Sequence, residues 1–89
     1  MKIWIVKGED CEPIAFSTAE KAYDFIQANM IEYGKQYRYD NSEIEECLDD
    51  LKSTYSCYTN GSTDWFGTYL GDYDLGAYLA TIDEFAKRV

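Results

Sequence analysis

The stretch from Pro13 to Gly34 constrains this chain more than any other. It reads as the end of a strand, a cap, and a helix with a clear stop. Ile14, Ala15 and Phe16 form a short apolar run, and Ser17 follows as an N-cap with Glu20 three residues on. That spacing predicts a capping box: the Ser17 hydroxyl accepts from the Glu20 amide, and the Glu20 carboxylate accepts from the Ser17 amide. Ala22, Phe25, Ile26, Met30 and Tyr33 then recur at helical spacing and build one apolar stripe. Gly34 fits the left-handed residue just past a helix end, so a helix is expected over residues 18–33.

Strand signals precede it. Lys2 to Val6 reads as a first strand, with Ile3 and Ile5 facing opposite to Trp4 and Val6. Gly8-Glu9-Asp10 is a turn, and Cys11 to Phe16 returns as a second strand whose Pro13 marks a sheet edge. After the helix, Lys35 to Asn41 is a polar connection. Ser42 caps a second helix with Glu45 as its box partner, and Ile44, Cys47, Leu48, Leu51 and Tyr55 mark its buried face. Ser53 to Gly61 ends on the turn signal Asn60-Gly61. Asp64 to Leu70 reads as a third strand, and Gly71-Asp72-Tyr73-Asp74 as a turn.

The last segment carries two periodicities. Leu75, Tyr78, Leu79, Ile82, Phe85, Ala86 and Val89 trace a helical stripe, with Asp74 as cap and Lys87-Arg88 at the end where cations are favoured. The alternative pairs Ala77 to Ile82 with Asp64 to Leu70 as a hairpin; the helix is the reading adopted. The expected fold is α+β: one domain over residues 1–89, a small antiparallel sheet (β-β-α-α-β, then helix or strand) covered by two or three helices.

Composition narrows function mostly by exclusion. With 46% hydrophobic and 17% aromatic residues the chain builds a core and is not disordered. A net charge of −9 repels nucleic acid and anionic membrane and favours basic partners. No apolar run approaches the roughly 18–20 residues of a membrane span. The opening Met-Lys-Ile-Trp-Ile-Val is too short for a signal peptide, so a cytoplasmic location is expected. Cys11, Cys47 and Cys57 form no Cys-x-x-Cys pair and are expected as free thiols. The chain has no histidine, which removes Ser-His and Cys-His nucleophile pairs and the commonest metal ligand. Gly67, Gly71 and Gly76 are not followed by the Lys-Ser or Lys-Thr of a phosphate loop. Asp64, Asp72 and Asp74 lack the spacing and closing Glu of a calcium loop. The chain is therefore read as no enzyme, with no cofactor and no metal.

The opening resembles a recurrent pattern in small uncharacterised proteins of bacteria and their phages. It is carried by Lys2-Ile3-Trp4-Ile5-Val6, Ala15-Phe16-Ser17-Thr18 and Glu20-Lys21-Ala22 leading into Phe25-Ile26, about the first third of the chain. In size and acidity the chain is similar to phage-encoded counter-defence inhibitors such as anti-CRISPR and anti-restriction proteins. That similarity implies an inhibitor acting in the host cytoplasm; it assigns no residue a role.

Two constellations remain. Residues 1–39 have net charge −1 and residues 40–89 net −8. Asp40 to Asp50 holds six carboxylates and no Lys or Arg. On the second helix Glu46 and Asp50 are four apart, as are Glu45 and Asp49, and Glu43 and Glu46 are three apart. Such like pairs repel by a few tenths of a kcal/mol each, about 5–6 Å apart, and together make a linear anionic array suited to a groove that binds phosphates by charge neutralisation. A solvated face that keeps the protein soluble is the competing account. The second constellation is aromatic: Trp65, Phe66, Tyr69, Tyr73 and Tyr78 crowd one region beside three aspartates. Trp65 and Phe66 are expected in the core, and Tyr73 as an exposed anchor. The resulting expectation is a non-enzymatic acidic module. It binds a basic, nucleic-acid-facing surface of a protein through Glu43, Glu46, Asp49, Asp50, Asp64, Asp72, Tyr73 and Asp74, without contacting nucleic acid or membrane. The alternative is a small cytosolic structural protein or homodimer whose acidity serves solubility alone.

Overall fold

Trp4, Ile5 and Val6 are all buried in the first strand, and Trp4 and Val6, which share a side, mark the face that becomes the main core. The computed structural model describes residues 2–81. These form β1 (Lys2–Gly8), β2 (Cys11–Phe16), α1 (Ala19–Gln36), α2 (Asn41–Thr59), β3 (Trp65–Leu70) and β4 (Tyr73–Thr81). The strands make one antiparallel sheet in the order β2-β1-β4-β3. Trp4 and Val6 point inward, with Phe66, Leu70, Leu75 and Ala77 beside them; the helices add Ala22, Ile26, Met30, Cys47 and Leu51. Both helices thus cover one face, and the α+β class stands. Phe66 is fully buried at the centre of this layer. Trp4, Tyr55 and Tyr58 surround it with ring centroids at 5.3, 4.9 and 5.6 Å. Much of the tyrosine content is core edge: Tyr23, Tyr33, Tyr39, Tyr55, Tyr58 and Tyr73 all pack, partly buried, against this cluster.

Four expectations are corrected. The segment read as a final helix belongs, through Thr81, to β4, paired on both sides, to β1 and to β3, the second as in the hairpin alternative. Leu75, Ala77 and Leu79 alternate toward the helices, and two flanking strands outweigh the helical stripe that shares Leu75 and Leu79. Residues 82–89 of that stripe, including Lys87-Arg88, lie outside the described residues. The first helix is capped by Thr18, not Ser17: the Thr18 hydroxyl accepts from the Lys21 amide at 3.2 Å. This puts Glu20 one position early for a capping box, and Ser17 instead accepts from Lys21 Nζ at 3.3 Å. The second helix begins at Asn41 behind Asp40, whose backbone carbonyl accepts from the Glu43 and Ile44 amides at 3.0 and 3.1 Å. It runs through Thr59 before the Asn60-Gly61 turn. Finally, Gly34 is not a helix stop. It lies inside α1, where a Cβ would come within 2.6 Å of Ile44 Cγ1 on α2, so its missing side chain lets the two helices approach. The left-handed residue is Arg38, at φ 58°.

Each sheet edge is handled differently. β2 carries Pro13, as expected of an edge, with an extra residue bulged opposite Lys7. At the other edge α2 lies alongside β3. There the Thr54 hydroxyl accepts from the Gly67 amide at 3.0 Å and has the Gly67 carbonyl at 2.8 Å, replacing the missing neighbour strand at that residue.

Candidate protein-docking surface

The contact between α2 and β3 also orients the acidic helix. Thr68 donates from its hydroxyl to the Cys47 carbonyl at 2.8 Å, and Thr54 clamps Gly67, so α2 runs antiparallel to β3. With 100° per residue and Cys47 and Leu51 turned inward, Glu43, Glu46 and Asp50 fall on the flank beside β3, while Glu45 and Asp49 turn outward. The flank edges a cleft of about 280 Å³ bounded by Tyr39, Glu43, Glu46, Asp50, Tyr69 and Gly71. Asp72 follows Gly71 in the turn at the same end.

Around the β3 edge lies the sheet face that no described helix covers. Trp65, Tyr69 and Tyr78 stand on it, 40%, 64% and 42% exposed. Trp65 and Tyr78 are cross-strand partners with rings 21° from parallel and centroids 6.5 Å apart. Between this pair and Tyr69, Gly67 and Gly76 oppose each other and leave a depression of about 340 Å³. Asp50 reaches its rim from α2 and Asp74 from β4. Asp74 Oδ1 also accepts from the Glu9 amide at 3.3 Å. Asp50 and Tyr69 border both the cleft and the depression, so the two are continuous.

Five of the eight sequence-predicted residues thus gather at one end of the sheet: Glu43, Glu46 and Asp50 on α2, Asp72 in the turn, and Asp74 on the sheet face opposite the helices. Three do not. Asp49 points away from the flank. Asp64 precedes β3, roughly 20 Å from Asp72 at about 3.3 Å per strand residue. Tyr73 is half-buried on the helical side of the sheet, stacked on Tyr33 with centroids 4.5 Å apart, rather than exposed as an anchor. Burial, then Cys11 and Asp10, push its hydroxyl above the ordinary tyrosine value. Trp65, expected in the core, is exposed instead. The Trp65–Tyr78 pairing belongs to the hairpin alternative rather than to the helix reading of residues 75–89; the alternation of Leu75, Ala77 and Leu79 after a Gly-Asp turn is the signal that carries it.

Burial pushes the Cys47 thiol up, with Asp50 adding and the Thr68 hydrogen bond opposing; burial and then Glu12 raise Cys11. Raised thiols are poor nucleophiles at neutral pH, and all three cysteines are free. Among the described residues no group of three or more His, Cys, Asp or Glu is placed to hold a metal ion, and no helix is long and apolar enough to cross a membrane. Comparison of the chain with protein-family models, curated proteins and solved structures finds no match.

Proposed function

We propose that the chain is a non-enzymatic protein-binding module that docks the α2–β3 flank on a basic protein surface, of the kind that otherwise faces nucleic acid. The observation that supports it is the convergence of Glu43, Glu46 and Asp50 beside exposed Tyr69, with Asp74 across the rim. A cluster kept only for solubility has no need to share a flank with exposed aromatics. Along α2 these three carboxylates span about 10 Å, from a rise of 1.5 Å per residue. That is roughly one charge per 5 Å, against one per 3.4 Å of a single DNA strand. The flank is therefore sparser than the strand it stands in for. Its charge acts chiefly on encounter rate, while uncharged contacts hold the complex.

The test uses the immobilised chain and a cell lysate. Retained proteins should be basic nucleic-acid binders that short DNA displaces and raised salt elutes, since exposed charges are screened over about 8 Å at physiological ionic strength. Combined Glu43→Gln, Glu46→Gln and Asp50→Asn should cut retention at least tenfold, about 1.4 kcal/mol. The outward pair Glu45→Gln and Asp49→Asn should leave it unchanged. Equal loss from both sets would reduce the flank to bulk charge, and no loss from either would refute the reading.

A further inference from the structure

Three features of the sheet face opposite the two helices meet at the depression beside Tyr69. Its floor is glycine: a Cβ on Gly67 would run into the Leu75 carbonyl oxygen and lie 2.8 Å from Gly76 Cα, so no side chain can occupy it. Its walls include the rings of Trp65, Tyr69 and Tyr78, and aromatic ring faces carry negative potential and attract cations. Its rim holds the carboxylates of Asp50 and Asp74. The chain itself supplies an instance of the attraction, because Lys7 Nζ lies 5.1 Å from the Tyr78 ring centroid.

This set selects its ligand by exclusion. An anion meets two carboxylates and π faces. A neutral apolar group strips water from those carboxylates without pairing them. A cation satisfies walls and rim together. Between the two cationic side chains the planar guanidinium fits better: it stacks on rings and presents a fork of N–H donors to carboxylates, whereas an ammonium is a compact, strongly hydrated point charge. At about 340 Å³ the space is at the low end of small-molecule sites, roughly 300–1,000 Å³, and suits one side chain. Because Asp50 and Tyr69 also border the acidic cleft, a partner held there lies within reach of it.

We propose that this depression receives one arginine side chain of the basic partner, its guanidinium against the Trp65–Tyr78 wall and hydrogen-bonded to Asp50 and Asp74. This rests on the reading of the flank as a docking surface for a basic protein, and deepens it from charge to a specific residue.

The experiment has two arms. In the first, N-acetyl-argininamide and N-acetyl-lysinamide are titrated into the unaltered chain and followed by NMR. The arginine probe should shift the Trp65 indole and the Gly67 and Gly76 amides, and the lysine probe much less. This arm does not depend on any variant folding. In the second, oligoarginine and oligolysine peptides of equal length are compared. Trp65→Ala should weaken oligoarginine by about fivefold or more and leave oligolysine unchanged, while Glu43→Gln with Glu46→Gln should weaken both alike. Equal binding of the two peptides, indifferent to Trp65→Ala but sensitive to the glutamate pair, overturns the arginine site and leaves the docking reading standing. Failure of both peptides to bind overturns both. Shifts produced by a neutral oligosaccharide in place of argininamide overturn the proposal in favour of a sugar. Concentration-dependent dimerisation that buries the Trp65 indole overturns it in favour of a second copy.

Discussion

Replacing Gly34 by alanine sets two effects of known size against each other. Inside a helix, glycine to alanine gains about 0.8–1 kcal/mol of propensity. At this position the new Cβ would lie 2.6 Å from Ile44 Cγ1, 2.7 Å from Ile44 Cδ1 and 3.2 Å from Leu70 Cδ2. Carbon atoms sit comfortably at about 3.5–4.0 Å, so two Ile44 atoms must each retreat by nearly 1 Å. Ile44 sits on α2 and packs against the core, so the retreat is opposed by the helix interface. Overpacking of this kind costs about 1–3 kcal/mol, and it wins: Gly34→Ala should destabilise by about 1 kcal/mol. For a domain of this size that lowers Tm by roughly 4–8 °C. Urea unfolding followed by circular dichroism measures it, best as a double-mutant cycle with Ile44→Ala. Removing Cγ1 and Cδ1 vacates the space, so on that background Gly34→Ala should become neutral or stabilising, with a coupling energy of at least about 1 kcal/mol. If Gly34→Ala stabilises both backgrounds equally, propensity alone operates. The close approach of α1 and α2 would then be wrong.

Two further outcomes follow from single groups. Thr54→Val keeps the shape but leaves the Gly67 amide without its partner, and should cost about 1–3 kcal/mol in urea unfolding; Thr54→Ser should restore most of it. Burial first, then neighbouring tyrosines and carboxylates, push the Tyr33 and Tyr55 hydroxyls above their ordinary value of 10.0. The folded chain then holds protons that the unfolded chain releases, so this stability is complete below pH 10.0 and is lost as pH rises through the folded values. Unfolding midpoints measured on either side of that pH should fall only on the alkaline side, and a flat profile would contradict the burial.

The candidate surface was half legible in the sequence. Helical spacing puts Glu43, Glu46 and Asp50 on neighbouring turns whatever the fold, so their array could be read from the chain. Asp49 looked equivalent because spacing within a helix does not say which flank meets another element. That is decided by Thr54 and Thr68 bonding α2 to β3. Tyr73 and Trp65 exchanged roles for the same reason: a residue in a strand faces the core or the solvent according to register, and pairing Trp65 with Tyr78 turns both outward.

The elements themselves divide along this line. The opening strands, the apolar stripe of α1, the buried face of α2 and the α+β class follow from local periodicity, which the sequence carries whole. What only the tertiary structure decided are the features that depend on a neighbour. Gly34 becomes a packing residue because Ile44 arrives opposite it. Residues 75–81 become a strand because β1 and β3 offer them two ladders of hydrogen bonds, more than a helix of the same residues would gain from its stripe. The glycine-floored depression exists because the β3–β4 register sets Gly67 against Gly76, a register that the helical stripe over the same residues masks in the sequence.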